Sequence, residues 1–143
     1  MNLKSGDNML LKWSPLMEVG LTEIDADHRL LFELLNRVHE ASDRPDQGPV
    51  MAILRELGRH TELHFGREED LMAQCNYASA EFHRHEHREL FRQIKNYMDE
   101  LNAGRLVASS VALFMQRWLL QHIAGADREL CAMLREYRKA GSA

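Results

Sequence analysis

The distribution of proline constrains the fold of this chain more than any other feature of its sequence. The prolines are Pro15, Pro45 and Pro49, and none follows in the rest of the 143 residues. Proline inside a helix removes a hydrogen-bond donor and clashes with the preceding turn, so the chain after residue 49 is free to be helical. Few segments show the alternation of apolar and polar residues that is typical of strands.

Turn signals divide the sequence into an arm and four helices. Gly48-Pro49 is typical of a helix start, and Asn102-Ala103-Gly104 is typical of a helix end. Thr22 with Asp25 resembles a capping pair, and Ser79 is a candidate N-cap. We therefore predict an arm over residues 1–21 and helices over about 22–42, 49–74, 79–102 and 108–138.

Each predicted helix carries an apolar stripe at helical spacing, such as Leu31, Leu35 and Val38 in the first helix. Such a stripe has to be buried against a neighbour, and short connections favour antiparallel packing. The sequence therefore predicts an all-α fold, an antiparallel up-down-up-down four-helix bundle. We expect an N-terminal arm over residues 1–21 that packs on the bundle, and a four-helix domain over residues 22–143.

Composition argues against several classes of protein. The chain has 18 Lys+Arg and 22 Asp+Glu, a formal charge of −4 and a pI near 6.0, whereas nucleic-acid-binding domains commonly have a pI above ~9. The longest uncharged apolar stretch, Leu106 to Gln116, is shorter than the ~20 residues that span a bilayer. Residues 1–7 lack the apolar core of a secretion signal. We expect a cytoplasmic protein that binds neither nucleic acid nor membranes.

The spacing of the histidines points to chemistry. The chain has eight histidines, and two predicted helices each hold a pair of side chains four residues apart, His64 with Glu68 and His83 with His87. Residues four apart lie about 40° from each other on one face of a helix. Positions beside core residues are also predicted for His28 in the first helix and for His122 and Asp127 in the fourth.

Five imidazoles and two carboxylates fit an apolar bundle interior only if something compensates them, because unpaired buried charges cost several kcal/mol each. Neutral nitrogen donors together with carboxylates suit two borderline cations such as iron. Carboxylates also bridge metals that lie roughly 3.5–4 Å apart. Seven such ligands, with two of them bridging and a further bridge from solvent, leave one coordination position open. We expect the function to reside at that position.

The last two candidate ligands, His122 and Asp127, are five residues apart. On a regular helix their side chains would diverge by about 140°. Both face the interior only if the turn between them widens, as it does in a π-bulge, and Gly125 would ease the distortion. We therefore predict a bulge or a kink between His122 and Asp127.

These residues resemble the hemerythrin family in its bacterial single-domain form. The resemblance runs from Trp13 to Asp127 and includes Trp13, Val19-Gly20, Ile24-Asp25-Ala26-Asp27-His28, His64-Phe65-Gly66-Arg67-Glu68-Glu69, Met72, Tyr77, His83-Arg84-His85-Glu86-His87, Trp118-Leu119-Leu120-Gln121-His122-Ile123 and Asp127. One departure is Ala78, where the family commonly has proline after the tyrosine; it affects a turn and no ligand.

The resemblance implies a non-haem di-iron site, two Fe ions (Fe2+/Fe3+) with an oxo or hydroxo bridge, that binds dioxygen reversibly. By the family pattern, one iron is held by His83, His87 and His122, and the other by His28 and His64. Glu68 and Asp127 bridge them, and dioxygen binds at the iron with only two histidines. We expect a dioxygen-binding protein for storage, delivery or sensing, and not an enzyme.

Two other functions are compatible with the sequence. The site could serve an oxygen- or redox-sensing input domain that acts on an output domain or a protein partner. It could also serve a di-iron peroxidase or oxidase, which needs an acid near the open position, and His60 is the residue nominated for that role. His39 is expected at the surface, and His85 is expected to face solvent or another helix. Glu69 and Asp70 are expected to be solvated, and carboxylates or backbone carbonyls are expected behind the ligand histidines.

Overall fold

The computed structural model describes residues 12–105 and 108–141, and the first eleven residues of the predicted arm lie outside that range. The described elements are helical: a 3-10 turn Pro15–Met17, α1 Thr22–Ala41, α2 Gly48–Gln74, α3 Ala80–Asn102, α4 Ala108–His122 and α5 Arg128–Gly141. A π-helical turn, Ile123–Asp127, joins α4 to α5, so that the two form one continuous rod. No strand occurs among these residues.

The rods form a closed bundle in which α1 packs on α2, α2 on α3, α3 on α4 and α4 on α1. The all-α, up-down-up-down prediction is therefore confirmed. The predicted helix ends agree with the observed ends to within one residue, except that the last rod continues to Gly141 instead of ending near residue 138. None of the described helices is both long enough and apolar enough to cross a membrane.

Burial of the apolar stripes holds the bundle together. Leu35 and Val38 of α1, Leu57 of α2 and Leu90 of α3 are almost completely buried, as is Leu130 of α5. Each such side chain contributes roughly 1.5–3 kcal/mol when it leaves water. The same interior also contains buried histidine, aspartate and glutamate side chains, which the apolar stripes alone do not explain.

The described part of the arm, residues 12–21, lies against the bundle. The ring of Trp13 meets the ring of Phe32 edge-on, with centroids 5.2 Å apart. Arg128 donates a hydrogen bond of 2.8 Å from Nη2 to the carbonyl of Leu16, and Val19 is buried. The division into an arm over 1–21 and a domain over 22–143 stays a prediction.

The start of α1 differs from the predicted capping pair. Leu21 is the N-cap residue and no side chain caps the helix, whereas Asp25 accepts hydrogen bonds from the backbone N–H groups of Val19 (2.8 Å) and Gly20 (3.3 Å). Gly20 has φ +88° and turns the chain so that both groups face the carboxylate. Asp25 therefore ties the arm to α1 instead of closing a capping box with Thr22.

The residues predicted to mark the other helix ends lie at those ends in the structure, but Ser79 does not make the expected contact. Gly48 and Pro49 begin α2, and Gly104 adopts a positive φ of 73° just after α3. Ser79 occupies the N-cap position of α3, but its side chain makes no capping hydrogen bond.

Candidate metal centre

The π-helical turn lies where the sequence required a distortion. It spans Ile123–Asp127, directly after His122, and contains Gly125. A π turn holds more residues per turn than an α-helix, so a residue five positions on returns to nearly the same face. His122 and Asp127 consequently both point into the bundle, with His122 Nε2 3.0 Å from Asp127 Oδ1. The predicted bulge is confirmed.

The structure brings the seven predicted site residues together in the bundle interior, each at most 2% exposed. Their nitrogen and oxygen atoms form two groups, and within each group all the ligand atoms lie within 4.8 Å of one another. One group contains Glu68, His83, His87, His122 and Asp127, and the other contains His28, His64 and Asp127. Asp127 belongs to both.

The larger group is built around three imidazoles. The Nε2 atom of His122 lies 3.1 Å from Nε2 of His83 and 3.2 Å from Nε2 of His87. His83 Nε2 also lies 3.1 Å from Asp127 Oδ1 and 3.4 Å from Glu68 Oε2. Three rings from α3 and α4 thus present the same nitrogen to one small volume.

The smaller group contains imidazoles from α1 and α2. His28 Nε2 lies 2.9 Å from Asp127 Oδ2, and His64 Nε2 lies 2.8 Å from Glu68 Oε1. Because Glu68 Oε2 approaches His83, the carboxylate of Glu68 contacts nitrogens of both groups, as Asp127 does. The two carboxylates therefore lie between the two sets of histidines.

Several of these buried atoms are poorly satisfied. Both oxygens of Glu68, Oδ1 of Asp127 and Nε2 of His64 form no well-aligned hydrogen bond among the described residues, although His64 Nε2 lies 2.8 Å from Glu68 Oε1 and His122 Nε2 lies 3.0 Å from Asp127 Oδ1. Incompletely compensated carboxylates cost several kcal/mol when buried, and a cation bound by them removes that cost. These carboxylate oxygens therefore indicate a site that suits cations.

The spacing of the nitrogens also fits metal coordination. Metal–nitrogen bonds of about 2.1 Å that meet at a right angle hold the two nitrogens about 3.0 Å apart. The separations of His122 from His83 and from His87, 3.1 and 3.2 Å, match this distance. In a hydrogen-bonded network, by contrast, every close pair of Nε2 atoms would need its own proton.

Electrostatics couples the side chains in the absence of a cation. Burial opposes charge on His83, but Asp127 and Glu68 outweigh it and raise the pKa of His83 to about 9. Burial and the neighbouring His83 and His122 lower the pKa of His87 to about 2. Burial acts to raise the pKa of Asp127, but hydrogen bonding and the nearby histidines hold it well below its usual value. The opposed pKa shifts follow from the crowding of histidines and carboxylates in one buried volume.

Aromatic rings fix the orientation of two of the imidazoles. Phe65 stacks on His87 with ring centroids 3.6 Å apart and planes 6° from parallel. Trp118 stacks on His122 at 4.3 Å and 18°. Both contacts hold the rings with Nε2 toward the carboxylates and cover one face of each ring with apolar surface.

Three carboxylates that the sequence did not single out lie behind the cluster histidines. Asp27 Oδ2 is 2.9 Å from Nδ1 of His64. Nδ1 of His87 is 3.5 Å from Glu69 Oε2, and Nδ1 of His122 is 3.7 Å from Glu86 Oε1. Only the contact of Asp27 is a hydrogen bond; an acceptor at Nδ1 orients the ring of His64 and leaves its Nε2 free for a metal. The Nδ1 atoms of His87 and His122 have a carboxylate nearby but no hydrogen-bond partner among the described residues.

Carboxylates behind the histidines were expected in general, but which residues supply them follows only from the packing of helices. Glu69 is partly exposed to solvent, in keeping with the expectation, and its carboxylate also lies near the ring of His87. Asp70 is exposed, as expected. In the sequence Asp27 is next to His28 and Glu86 is next to His87, which indicates that both carboxylates lie near the cluster. Helical periodicity does not tell which imidazole ring across the bundle each carboxylate faces.

The remaining histidines lie outside the cluster. His85 is exposed on α3 and His39 is partly exposed near the end of α1. His60 keeps 24% of its side chain exposed, and its nearest acidic partner is Glu56, with Nε2 4.0 Å from Oε1. The structure therefore does not place His60 with the seven clustered residues.

Comparison with known proteins gives a consistent family. The family model described as the hemerythrin HHE cation binding domain matches residues 19–134. A bacteriohemerythrin of Clostridium acetobutylicum is 30% identical over 125 residues, which cover 82% of this chain and 95% of that protein. A bacteriohemerythrin of Stenotrophomonas maltophilia is 29% identical over 119 residues, which cover 83% of this chain and 78% of that protein.

A solved structure agrees with these matches at the level of the fold. The crystal structure of a wild-type hemerythrin aligns with a TM-score of 0.82 at 23% identity, covering 87% of this chain and 98% of its own. The resemblance stated from the motifs is thus confirmed, and the chain belongs to the hemerythrin family.

Proposed function

We propose that this protein holds two iron ions in the bundle interior and binds dioxygen reversibly there, without turning it over. The observation that carries the proposal is the position of Asp127 and Glu68, two fully buried carboxylates that lie between the two sets of histidines and whose oxygens are incompletely satisfied by hydrogen bonds. A carboxylate in that position suits a bridge between two cations. The similarity to bacteriohemerythrins favours iron.

The histidines divide unequally between the two proposed ions. His83, His87 and His122 would hold one iron, and His28 and His64 would hold the other. With Glu68, Asp127 and an oxo or hydroxo group as bridges, the ion held by His28 and His64 would have one position open for dioxygen. The bound metal would supply the two electrons that reversible dioxygen binding requires.

The protein's own side chains keep the site balanced and dry. Glu68 and Asp127 supply two negative charges against the cations, and neither is exposed. Phe65 and Trp118 cover ring faces of His87 and His122. A low-dielectric pocket strengthens the attraction between carboxylates and cations and disfavours the entry of additional charge.

The placement of the acidic groups among the described residues favours an oxygen-binding role over an enzyme. The nominated residue, His60, is on the outward part of α2 and pairs with Glu56. The carboxylates of Asp27, Glu69 and Glu86 approach Nδ1 atoms, on the far side of the rings from the clustered Nε2 atoms. A peroxidase or oxidase would need a proton donor at the open position.

An optical experiment tests the proposal. The iron-loaded protein is reduced without oxygen and then exposed to air. We expect a charge-transfer band that appears with oxygen and disappears when the gas is removed under vacuum, over repeated cycles. The His85→Ala variant is the matched control and should behave like the unmodified protein, because its ring is exposed on the same helix as His83 and His87.

Other outcomes distinguish the alternatives. Rapid, irreversible oxidation with peroxide released or consumed would support an enzyme or a redox sensor. Loss of the band only when an output partner is present would support a sensing input domain. Absence of any oxygen-dependent band in protein that contains iron would contradict reversible binding.

A further inference from the structure

A surface cavity borders the proposed metal centre on one side of the bundle, where His83 forms part of its lining. It has a volume of about 260 Å³ and lies between α3 and the rod formed by α4, the π turn and α5. The π turn supplies part of its wall through Gly125, which has no side chain, and Ala126, whose side chain is a single methyl group. A Cβ added at Gly125 would meet no atom within 4 Å.

His83 separates this cavity from the buried cluster. The residue lines the cavity, although its side chain is only 1% exposed. Its Nε2 atom lies 3.1 Å from Asp127 Oδ1 inside the site, whereas its Nδ1 atom has no hydrogen-bond partner among the described residues. One imidazole ring is therefore the barrier between the cavity and the carboxylates.

The chemistry of the cavity wall favours a cation. Glu86 and Glu129 supply two carboxylates, and Tyr77, Ser79 and Gln121 supply neutral oxygen atoms. No lysine or arginine is among the described lining residues. Burial and the carboxylate of Glu129 raise the pKa of Tyr77 to about 12, so the phenol stays neutral and hydrogen-bonds to Glu129.

The size of the cavity suits a hydrated divalent ion. Six water molecules occupy roughly 180 Å³ at about 30 Å³ each, which is less than the 260 Å³ available. Oxygen ligands at the surface are appropriate for an ion that still keeps part of its water shell. His83 provides a nitrogen donor at the inner end of the cavity, and this favours transfer of the ion to the histidine-rich cluster.

We propose that this cavity is the entry port for Fe2+: Glu86 and Glu129 bind the hydrated ion transiently, and His83 passes it to Glu68 and Asp127. The inference rests on the proposed function, because it assumes that iron is the metal of the buried cluster. No bond other than metal–ligand and metal–water contacts is made or broken, and no electron is transferred.

The test measures the rate of iron uptake, not oxygen binding. Metal-free protein is mixed with ferrous salt without oxygen at low ionic strength, and uptake is stopped with a ferrous chelator at successive times. Protected iron per chain is then counted. Glu129→Gln should slow uptake about three- to ten-fold, since a negatively charged cleft concentrates cations, and the final iron content should be unchanged.

A second variant moves the rate in the opposite direction. Gln121→Glu adds a carboxylate to the same wall and should accelerate uptake. Glu33→Gln removes an exposed carboxylate of α1 that does not line the cavity, and it should leave the rate unchanged. High ionic strength should reduce both differences, because salt screens exposed charges beyond about 10 Å at 0.1 M.

Equal uptake rates for the unmodified protein, Glu129→Gln and Gln121→Glu, with two irons finally bound in each, would overturn the entry port and leave the di-iron proposal intact. Failure of the unmodified protein to protect any iron would overturn both. Glu86 is left unsubstituted in this test because it also faces Nδ1 of His122.

Discussion

Asp127 Oδ2 lies 2.9 Å from Nε2 of His28, although the two residues are 99 positions apart in the chain. The other oxygen of the same carboxylate lies 3.0 Å from Nε2 of His122. One side chain of the π turn therefore links a histidine of the first rod to a histidine of the last. If two irons occupy the cluster, this carboxylate contacts both.

The iron that is held by fewer histidines should be the more easily lost. His28→Ala should reduce the iron content from two to about one per chain, because His83, His87 and His122 stay in place to hold the other ion. Elemental analysis of the purified variant measures this directly. His85→Ala, on the exposed side of α3, should retain two; loss of iron in both variants alike would point to a general folding effect.

The carboxylate behind His64 should control affinity without acting as a ligand. Asp27 lies 2.9 Å from His64 Nδ1 and also pairs with Arg67 at 2.9 Å. Asp27→Asn should weaken iron binding about 10–100-fold, as is typical for carboxylates that orient metal-bound histidines. Competition with a chelator of known affinity gives the shift.

The matched control for Asp27 is Asp43→Asn, which removes an exposed carboxylate from the loop between α1 and α2. It should bind iron as the unmodified protein does. An unchanged affinity in Asp27→Asn would show that the contact with His64 does not tune the site.

Replacement of Gly125 and of Gly20 by alanine should have opposite effects on the stability of the protein. At Gly125 a Cβ would meet no atom within 4 Å, so Gly125→Ala should stabilise the protein by about 0.5–1 kcal/mol through lower chain entropy. At Gly20, φ is +88° and a Cβ would overlap the guanidinium group of Arg135. Gly20→Ala should destabilise by at least ~1–2 kcal/mol.

Urea denaturation of the two glycine variants, compared with the unmodified protein, measures both shifts. A loss of stability in Gly125→Ala would mean that the π turn needs the conformational freedom of glycine, as the sequence suggested. A neutral Gly20→Ala would contradict the close approach of Arg135 to the arm.

The two cysteines should differ in reactivity. Burial and the nearby carboxylates of Asp127 and Glu68 raise the pKa of the Cys131 thiol, and the thiolate is the reactive form. Cys75 is only partly buried. One thiol per chain should therefore be alkylated in the folded protein and two after unfolding, as counted by mass spectrometry.

Cys75→Ser is the companion variant for this measurement, and it should abolish labelling of the folded chain. Labelling of Cys131 at the rate of Cys75 in the native state would show that the buried thiol is accessible. That outcome would also question how tightly α5 packs next to Asp127.

The bundle and the π turn could be predicted from the sequence because both follow from the geometry of individual helices. Apolar spacing fixes which face of each helix is buried, and the five-residue offset of His122 and Asp127 permits a common face only in a widened turn. Proline placement and loop length then limited the topology. These signals do not depend on knowing which helices touch.

Contacts between helices were not predictable in the same way. That Asp27 meets His64, and that Glu86 faces His122, depends on the rotation and offset of helices that pack across the bundle. The hydrogen bonds that Asp25 accepts from the arm depend on the positive φ of Gly20. The predicted capping pair of Thr22 and Asp25 did not indicate that backbone conformation. Helical periodicity specifies a face but not the residue it meets.

The proposed di-iron centre requires seven buried side chains from four rods to hold two iron ions: His28, His64, Glu68, His83, His87, His122 and Asp127. The iron content of the unmodified protein, purified anaerobically and supplied with ferrous salt, is measured by elemental analysis against protein concentration. We expect two irons per chain, retained through gel filtration. A content near zero, or a single ion that persists when Glu68 is replaced by alanine, would contradict it.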